Sequence, residues 1–307
     1  MVCFQKISSV SNVNDLLKNG LYWYILFIFL QALILEPFKL KKLNHLAEIY
    51  NFYDTFIVDL WGVMHNGVKL NPKAVEAIDH LMKNKKKIVF LSNAPRPSNE
   101  VKKFLKQINM DERYLKNILT SGEAAMLALQ DNKYGKYFYH LGPKKDDSIF
   151  FNIKENNTTL EKCNFILCTG LFDNYEKNLD YYKVLLKDQT KKKLICTNPD
   201  LTVHRGSIEE YCAGSIASVF ESIGGEVIYF GKPYKEIYEM CFSDGEKAIA
   251  IGDNLNTDIR GANNMNIDSI FISNGVHRAE FKNESELMIL QSKYKVKASY
   301  YQSQLNW

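Results

Sequence analysis

A short apolar run that ends in an aspartate is the feature that most constrains the fold of this chain. Residues 55–58 read TFIV, Asp59 follows directly, and a turn containing Gly62 comes next. A continuous apolar run of this length predicts a parallel strand that is buried on both faces. Because open α/β sheets bind ligands at the carboxyl ends of their strands, Asp59 is predicted to lie at the functional edge of such a sheet. Taken alone, an aspartate that only serves the turn would give the same pattern.

Three later apolar runs also end in polar residues, and each supplies a different chemical group. In chain order these are Ser92 and Asn93 after residues 88–91, Lys232 after residues 227–230, and Asp253 with Asp258 after residues 248–251. Between such runs, residues 71–84 and 98–108 carry apolar side chains at helical spacing. The alternation predicts a mostly parallel, three-layer α/β sandwich whose strand ends bring these polar groups together.

The order of these groups resembles the haloacid dehalogenase-like hydrolases, whose motifs are a nucleophilic Asp, a Ser or Thr, a Lys and an acidic metal motif. The resemblance covers the chain from about Tyr53 to about His277. Two finer motifs, TNPD at residues 197–200 and GDNLNTDIRGA at residues 252–262, are similar to the class IIA branch. That branch includes nucleotide, p-nitrophenyl, pyridoxal and phosphoglycolate phosphatases.

This resemblance implies a three-layer, Rossmann-like parallel-sheet core with an inserted α/β cap domain. We place the boundaries of the hydrolase core at residues 43–134 and 225–281, and those of the cap at residues 135–224. Residues 1–42 are then an N-terminal apolar extension, and residues 282–307 are a polar, tyrosine-rich tail. Caps of this kind cover an active site, exclude water and select the substrate. The resemblance also leaves open a homodimer that forms through the cap.

The resemblance further implies a Mg²⁺ site. Asp59 would be both the nucleophile and one ligand, Asp253 the second carboxylate ligand, and the main-chain carbonyl of Trp61 the third ligand. Mg²⁺ prefers oxygen ligands and usually keeps several waters beside one or two carboxylates. Asp258 would orient Lys232 or the metal-bound waters, unless it caps the helix that starts near Ile259.

A phosphate group needs donors and positive charge around its oxygens. By the same resemblance, Ser92 would offer its hydroxyl, Asn93 its backbone N–H and Lys232 a point charge. The cap is harder to interpret from sequence. For four of its polar residues and one arginine of the core, two interpretations stay open, a contact with the substrate and exposure to solvent. These residues are Asp173, Asp200, His204, Arg205 and Arg96.

Trp61 is the one clear departure from the family pattern. Family phosphatases carry a second Asp two residues after the nucleophile, and it protonates the leaving oxygen before activating water. An indole N–H donates hydrogen bonds but cannot act as an acid or base. General acid–base catalysis typically contributes about 10²–10⁴-fold. His65 is a candidate replacement, although a histidine after a turn is also a common structural residue.

The composition bears mainly on partners. Only five of the 39 basic residues are arginines, and the lysines are spread out, so no nucleic-acid-binding face is expected. The six cysteines form no CxxC pair and no cluster with zinc spacing. Reduced thiols and a cytoplasmic location are therefore the expectation. The expected partner is a small phosphorylated substrate.

The N-terminus contains the apolar segment 21–38, which is marginal in length for a membrane span. Three interpretations remain: a membrane anchor that would tether the protein, an appendage that packs on the core, and an extension upstream of the true start. Membrane association is expected only in the first case.

Two other functions compete with a Mg²⁺-dependent phosphatase. Trp61 is compatible with a catalytically degenerate member that binds a phosphorylated ligand, and also with a hydrolase of a non-ester bond. The complete set of Asp59, Ser92, Lys232 and Asp253 favours catalysis, since a binding protein needs no in-line nucleophile.

Overall fold

The main sheet of the protein is parallel throughout and has seven strands. The structure is a computed structural model that describes residues 40–130, 132–205 and 208–307. The sheet order is β1-β13-β12-β11-β2-β3-β4. Its strands are β1 (Lys41–Lys42), β2 (Thr55–Val58), β3 (Lys87–Ser92), β4 (Ile118–Thr120), β11 (Ala248–Gly252), β12 (Asp268–Ile272) and β13 (Tyr300–Gln302). All four residues of the central strand β2 are buried, as the continuous apolar run predicts.

Helices cover the faces of this sheet. They are α1 (Pro72–Lys83), α2 (Ser98–Gln107), α3 (Ser121–Gln130), α6 (Lys235–Glu239), α7 (Arg260–Asn264) and α8 (Glu284–Tyr294), with a single π-helical turn at Leu255–Ile259. Helix α1 shows how the sequence specifies such an element. Pro72 occupies the first turn, where its missing N–H costs nothing, and Ala74, Ile78 and Leu81 are buried at helical spacing.

A second parallel sheet forms the cap, in the order β10-β7-β6-β5. The cap elements are β5 (Phe138–Leu141), β6 (Phe165–Cys168), α4 (Leu179–Leu186), β7 (Lys193–Cys196), a hairpin of β8 (Thr202–Arg205) and β9 (Ile208–Tyr211), α5 (Ala213–Ser222) and β10 (Glu226–Tyr229). A kinked stretch of 3₁₀ helix, Lys144–Asn156, follows β5. The cap has its own hydrophobic core, which includes Leu141, Ile166, Tyr182 and Phe220. The parallel core with an inserted α/β cap is the fold that the sequence predicts.

The boundary between cap and core at residue 225 is wrong. Val227 and Ile228 pair in register with Leu194 and Ile195, so β10 is the edge strand of the cap sheet. The chain returns to the main sheet only at Gly231. An apolar run predicts a strand but does not show which sheet the strand joins, and this is why the sequence placed β10 in the core.

The predicted boundaries at residues 43 and 282 also need correction. Residues of β13 pair with β12 on one side and with β1 on the other, so the tyrosine-rich tail completes the main sheet. Helix α8 buries Leu287 and Leu290 beside Leu40, which is 3% exposed. The core therefore begins at least as early as Leu40 and includes the tail. The tail looks polar in sequence because the tyrosines of β13, Tyr300 and Tyr301, are only partly buried.

The apolar segment 21–38, with the three interpretations given to it, lies outside the described residues. In the part of the chain that the structure describes, no helix is both long enough and apolar enough to cross a membrane.

The contribution of the tail to stability can be tested at Trp307. Its ring stacks on His80 at 4.6 Å between centroids and lies 4.9 Å from the ring of Tyr50, while its carbonyl accepts a hydrogen bond from His45. We expect Trp307→Ala to lower the free energy of unfolding by about 2 kcal/mol, less than for a fully buried Trp. Urea denaturation would measure this change. The control is Ile289→Ala, at a side chain of the same tail that is 69% exposed; equal losses in both variants would show that the ring contacts of Trp307 add no stability of their own.

Candidate active site

The ends of three neighbouring strands bring three predicted site residues to one edge of the main sheet. Because β11, β2 and β3 are adjacent and parallel, Asp253, Asp59 and Ser92 leave the sheet side by side. Lys232 joins them from the segment that returns from the cap. All four are buried, with exposures between 3% and 7%. This convergence is the placement that the sequence pattern predicts.

Lys232 lies between two carboxylates. Its Nζ donates to Asp59 Oδ1 at 2.6 Å and to Asp258 Oδ1 at 2.7 Å. Burial alone would lower the pKa of Lys232, but Asp258 and Asp59 together raise it well above its usual value. Asp59 behaves differently: burial raises its pKa, and the nearby Lys232 charge opposes that shift only in part. The lysine is therefore firmly charged, whereas ionised Asp59 is destabilised in the site as it stands.

Three carboxylates of the site are close enough to hold one cation. One oxygen from each of Asp59, Asp253 and Asp258 lies within 4.8 Å of the others. Burial, with Asp258 nearby, raises the pKa of Asp253 to about 7. With Lys232 as the neighbouring cation, the three carboxylates leave an excess of two negative charges when all are ionised. An oxygen-rich, buried, doubly negative cluster fits a small divalent cation.

Gly62 makes room for one of these carboxylates. It has a φ of +88°, and a Cβ at this position would lie 2.1 Å from Asp253 Oδ2. Only glycine combines this backbone conformation with so close an approach. The turn after the nucleophile strand is thus shaped around Asp253.

The side chain of Asn93 is hydrogen-bonded to the backbone of Lys232. Its Oδ1 accepts from the backbone N–H of Lys232 at 2.8 Å, and its Nδ2 donates to the Lys232 carbonyl at 3.1 Å. The same Nδ2 donates to Asp200 at 3.2 Å. The sequence pattern assigned only the backbone N–H of Asn93 to the site. The paired amide contacts show that Asn93 also fixes the backbone that carries Lys232.

Asp258 does not cap the helix that begins at Arg260. Its Oδ1 binds Lys232, and its Oδ2 accepts from the backbone N–H of Asn254 at 3.1 Å. The residue before α7, Ile259, makes no side-chain cap. Asp258 therefore contacts Lys232, which it was expected to orient, and the interpretation as a helix cap is wrong.

Trp61 connects the turn after β2 to the cap. Its indole Nε1 donates to the carbonyl oxygen of His204 at 2.8 Å, and the Arg205 guanidinium lies 5.0 Å from its ring. Both cap residues belong to the hairpin of β8 and β9, which the sequence analysis did not identify. Gly206-Ser207, between its two strands in the sequence, is a typical two-residue hairpin signal that could have revealed it.

His65 is not placed to replace the missing acid. It is 4% exposed, its ring packs between those of Trp61 and Phe104, and its Nδ1 accepts from the backbone N–H of Gly67 at 3.0 Å. Burial lowers the pKa of His65 to about 4. Its contacts support the structural interpretation and not the proton-transfer one.

Arg96 links the core to the cap at the other side of the site. Its Nε lies 3.3 Å from Asp146 Oδ1, and the Asp146 side chain is almost fully buried. Burial raises the pKa of Asp146 to about 6, and the charge of Arg96 opposes the shift.

A cavity of about 1090 Å³ lies over the edge of the main sheet. Among its lining residues are Asp59, Ser92, Lys232 and Asp253 from the core, and Asp173, Asp200, His204 and Arg205 from the cap. All four polar cap residues that the sequence analysis left undecided thus line this cavity. It is large enough to hold a small metabolite with its reactive group at Asp59.

Comparison with protein families gives two matches. A model described as haloacid dehalogenase-like hydrolase matches residues 56–153, and a HAD-hydrolase-like model matches residues 229–291. The two matched stretches include Asp59, Ser92, Lys232 and Asp253, while the stretch between them holds most of the cap.

Curated relatives are similar over most of the chain. An acid sugar phosphatase of Staphylococcus haemolyticus is 26% identical over 248 residues, which covers 76% of this chain and 90% of the relative. A 5′-nucleotidase of Bacillus subtilis is 25% identical over 241 residues, covering 74% and 90%.

Solved structures agree on the fold. A haloacid dehalogenase-like hydrolase from Brucella suis superposes with a TM-score of 0.74 at 25% identity, covering 85% of this chain and 98% of that one. A p-nitrophenyl phosphatase from Archaeoglobus fulgidus superposes with a TM-score of 0.63 at 18% identity, covering 82% and 96%.

Proposed function

The chain belongs to the haloacid dehalogenase-like hydrolases, in the class IIA branch, and on that basis we propose that it is a Mg²⁺-dependent phosphatase of small phosphorylated metabolites. The observation that carries the proposal is the buried cluster in which Lys232 contacts both Asp59 and Asp258, with Asp253 beside them. A binding site for phosphate alone would have no reason to bury a carboxylate nucleophile among other carboxylates.

The residues present fit a magnesium ion. Asp59 and Asp253 would hold it with the main-chain carbonyl of Trp61, and Asp258 would orient Lys232 through its contact with the ammonium group. When bound, Mg²⁺ neutralises the charge on the phosphoryl oxygens and on the carboxylates that hold it. The excess of negative charge in the described cluster supports a divalent rather than a monovalent cation.

The remaining chemistry belongs to the chain itself. Asp59 attacks phosphorus in line, the bond to the leaving oxygen breaks, and water then hydrolyses the phosphorylated Asp59. Lys232 supplies a fixed positive charge to the phosphoryl oxygens, and the Ser92 hydroxyl and Asn93 N–H donate to them. Asn93 and Asp258 hold Lys232 at its backbone and its ammonium, so this charge needs no reorganisation during the reaction.

One observation favours a second function. Trp61 stands where the family has its acid, and its indole is already bonded to the cap. A protein that binds a phosphorylated ligand under a fixed cap, with little turnover, would have the same arrangement.

A panel of phosphate esters with Mg²⁺ separates the two functions. The panel contains sugar phosphates, nucleoside monophosphates and p-nitrophenyl phosphate, because these are the substrates in the names of the similar proteins. We expect release of inorganic phosphate that stops in EDTA. In Asp253→Asn, which loses one ligand charge, the Mg²⁺ concentration for half-activation should rise about 10–100-fold.

Two outcomes would contradict the phosphatase. Full activity in EDTA would reject the magnesium site, and saturable ligand binding without phosphate release would favour the binding function. Asp244→Asn, at an exposed carboxylate that does not line the cavity, is the matched control and should behave as the wild type.

A further inference from the structure

Asp200 is a cap carboxylate that is hydrogen-bonded to two residues at the edge of the main sheet where Asp59 lies. Its Oδ1 accepts from Asn93 Nδ2 at 3.2 Å and from Asn254 Nδ2 at 3.4 Å. Asn93 follows β3 and Asn254 follows Asp253 after β11, while β2 with Asp59 lies between these two strands. The Asp200 carboxyl group is therefore hydrogen-bonded to the loops on both sides of the strand that presents the nucleophile. Both bonds end on Oδ1, so they orient the group without using Oδ2.

The environment of Asp200 suits proton transfer. The residue is half-buried and lines the same cavity as Asp59. Burial raises the pKa of Asp200 to about 6, against the opposing charge of Lys232, while the nearby Asp258 raises it further. A carboxyl group in that range can both donate and accept a proton near neutral pH.

Trp61 helps to hold Asp200 in place. The indole binds the carbonyl of His204, four residues after Asp200, and the Leu201 carbonyl accepts from Ser215 Oγ at 2.7 Å. The segment that carries Asp200 is thus fastened to the core on one side and to α5 on the other. The residue that replaces the family's acid is therefore the same residue that anchors a different carboxylate over the site.

We propose that Asp200 is the general acid and base of this enzyme, in place of the carboxylate that Trp61 lacks. The inference rests on the proposed phosphatase function. As Asp59 bonds to phosphorus, the phosphorus–oxygen bond to the leaving group breaks, and its electron pair stays on that oxygen, which takes the proton of Asp200. The Asp200 carboxylate then takes a proton from water, the water oxygen bonds to phosphorus, and the bond to Asp59 breaks, which regenerates Asp59 and releases phosphate.

Other acids near the cavity fit this role less well. His65 is enclosed by aromatic rings, and Asp146 is paired with Arg96. Glu210 is paired with Arg205 at 3.0 Å, and Asp173 is exposed, so its position is not fixed by burial. Among the described cavity residues, Asp200 combines partial burial with hydrogen bonds to both sides of the nucleophile strand.

The test compares leaving groups in Asp200→Asn, which keeps the shape and an Oδ1 acceptor but cannot exchange a proton. The kcat/KM for an alkyl phosphate should fall about 10²-fold, because its leaving oxygen needs the proton. The kcat/KM for p-nitrophenyl phosphate should fall less than about tenfold, since nitrophenolate leaves without one. Its product should appear as a burst equal to the enzyme concentration, followed by slow turnover, because phosphorylated Asp59 accumulates.

Asp188→Asn is the matched control, an exposed cap carboxylate that does not line the cavity, and it should keep both rates within about twofold. A second variant, Asp200→Glu, retains an acid and should retain more alkyl phosphate turnover than Asp200→Asn even if both variants lose some stability. Equal losses on both esters, or no loss in Asp200→Asn, would overturn the role of Asp200 while the phosphatase stands. If the wild type turns over neither ester, the proposed function is overturned, and this inference with it.

Discussion

Replacing Asp59 with asparagine should lower the turnover of every phosphate ester by at least about 10⁴-fold, because an amide cannot form the covalent intermediate. The fold should survive. Asn has nearly the same volume as Asp, and its Oδ1 can still accept from Lys232, which is 2.6 Å from Asp59 Oδ1 in the wild type. Release of inorganic phosphate measures the loss, with Asp244→Asn as the control.

The same variant carries a stability prediction with a definite sign. Burial raises the pKa of Asp59, so its ionised form costs stability at neutral pH, and an uncharged amide removes that cost. Without Mg²⁺, the free energy of unfolding of Asp59→Asn should equal or exceed that of the wild type. Residual activity within tenfold of the wild type would mean that the nucleophile is another group, and a marked loss of stability would mean that the loss of activity comes from unfolding.

Removing the cation of the cluster should do the opposite to stability. In Lys232→Met, Asp59 and Asp258 lose the ammonium that lies 2.6 and 2.7 Å from them and stay buried. Breaking a buried ion pair from one side typically costs about 3–5 kcal/mol. We expect a loss of that size at pH 7, together with a fall in phosphatase activity of at least about 10²-fold from the missing charge at the phosphate.

The pH dependence of this loss follows from the carboxylates left behind. Asp59 and Asp253 already have raised pKa values, Asp253 to about 7, and removal of Lys232 raises both further. The folded variant then binds more protons than the unfolded chain, so its stability increases as the pH falls from 7 towards 5. Urea denaturation at both pH values would show the deficit shrinking. Lys235→Met, at an exposed lysine paired with Glu239, is the control and should change stability by less than about 0.5 kcal/mol; a matching loss there would show that the effect is not specific to the buried cluster.

Much of the site could be predicted from sequence because a local pattern, an apolar strand followed by a polar residue, determines where that residue lies in the fold. Parallel strands that end in polar residues must present them at a common edge, so Asp59, Ser92 and Asp253 could be brought together without knowledge of the loops. Lys232 required the resemblance, since a lysine between glycine and proline is otherwise an ordinary loop residue.

The parts that sequence could not predict depend on distant partners. β10 is as apolar as a core strand, and its place in the cap is decided by pairing with β7. The sequence could show that Trp61 is not a general acid, because an indole has no suitable proton. It could not show the hydrogen bond from Trp61 to His204, because the two residues are 143 positions apart. Asp200 was one of several undecided polar cap residues for the same reason: its meaning comes from Asn93 and Asn254, which the fold alone brings to it.

The position of β13 has a consequence for how the chain folds during synthesis. β13 lies between β12 and β1, so the first described strand can join the sheet only after residues 300–302 have left the ribosome. Until then the nascent chain carries an open edge at β12, and such edges invite pairing with other chains. A ribosome stalled before residue 300 should therefore hold a chain that engages chaperones and is cut readily by proteases, whereas one stalled on a linker added after residue 307 should hold a resistant core.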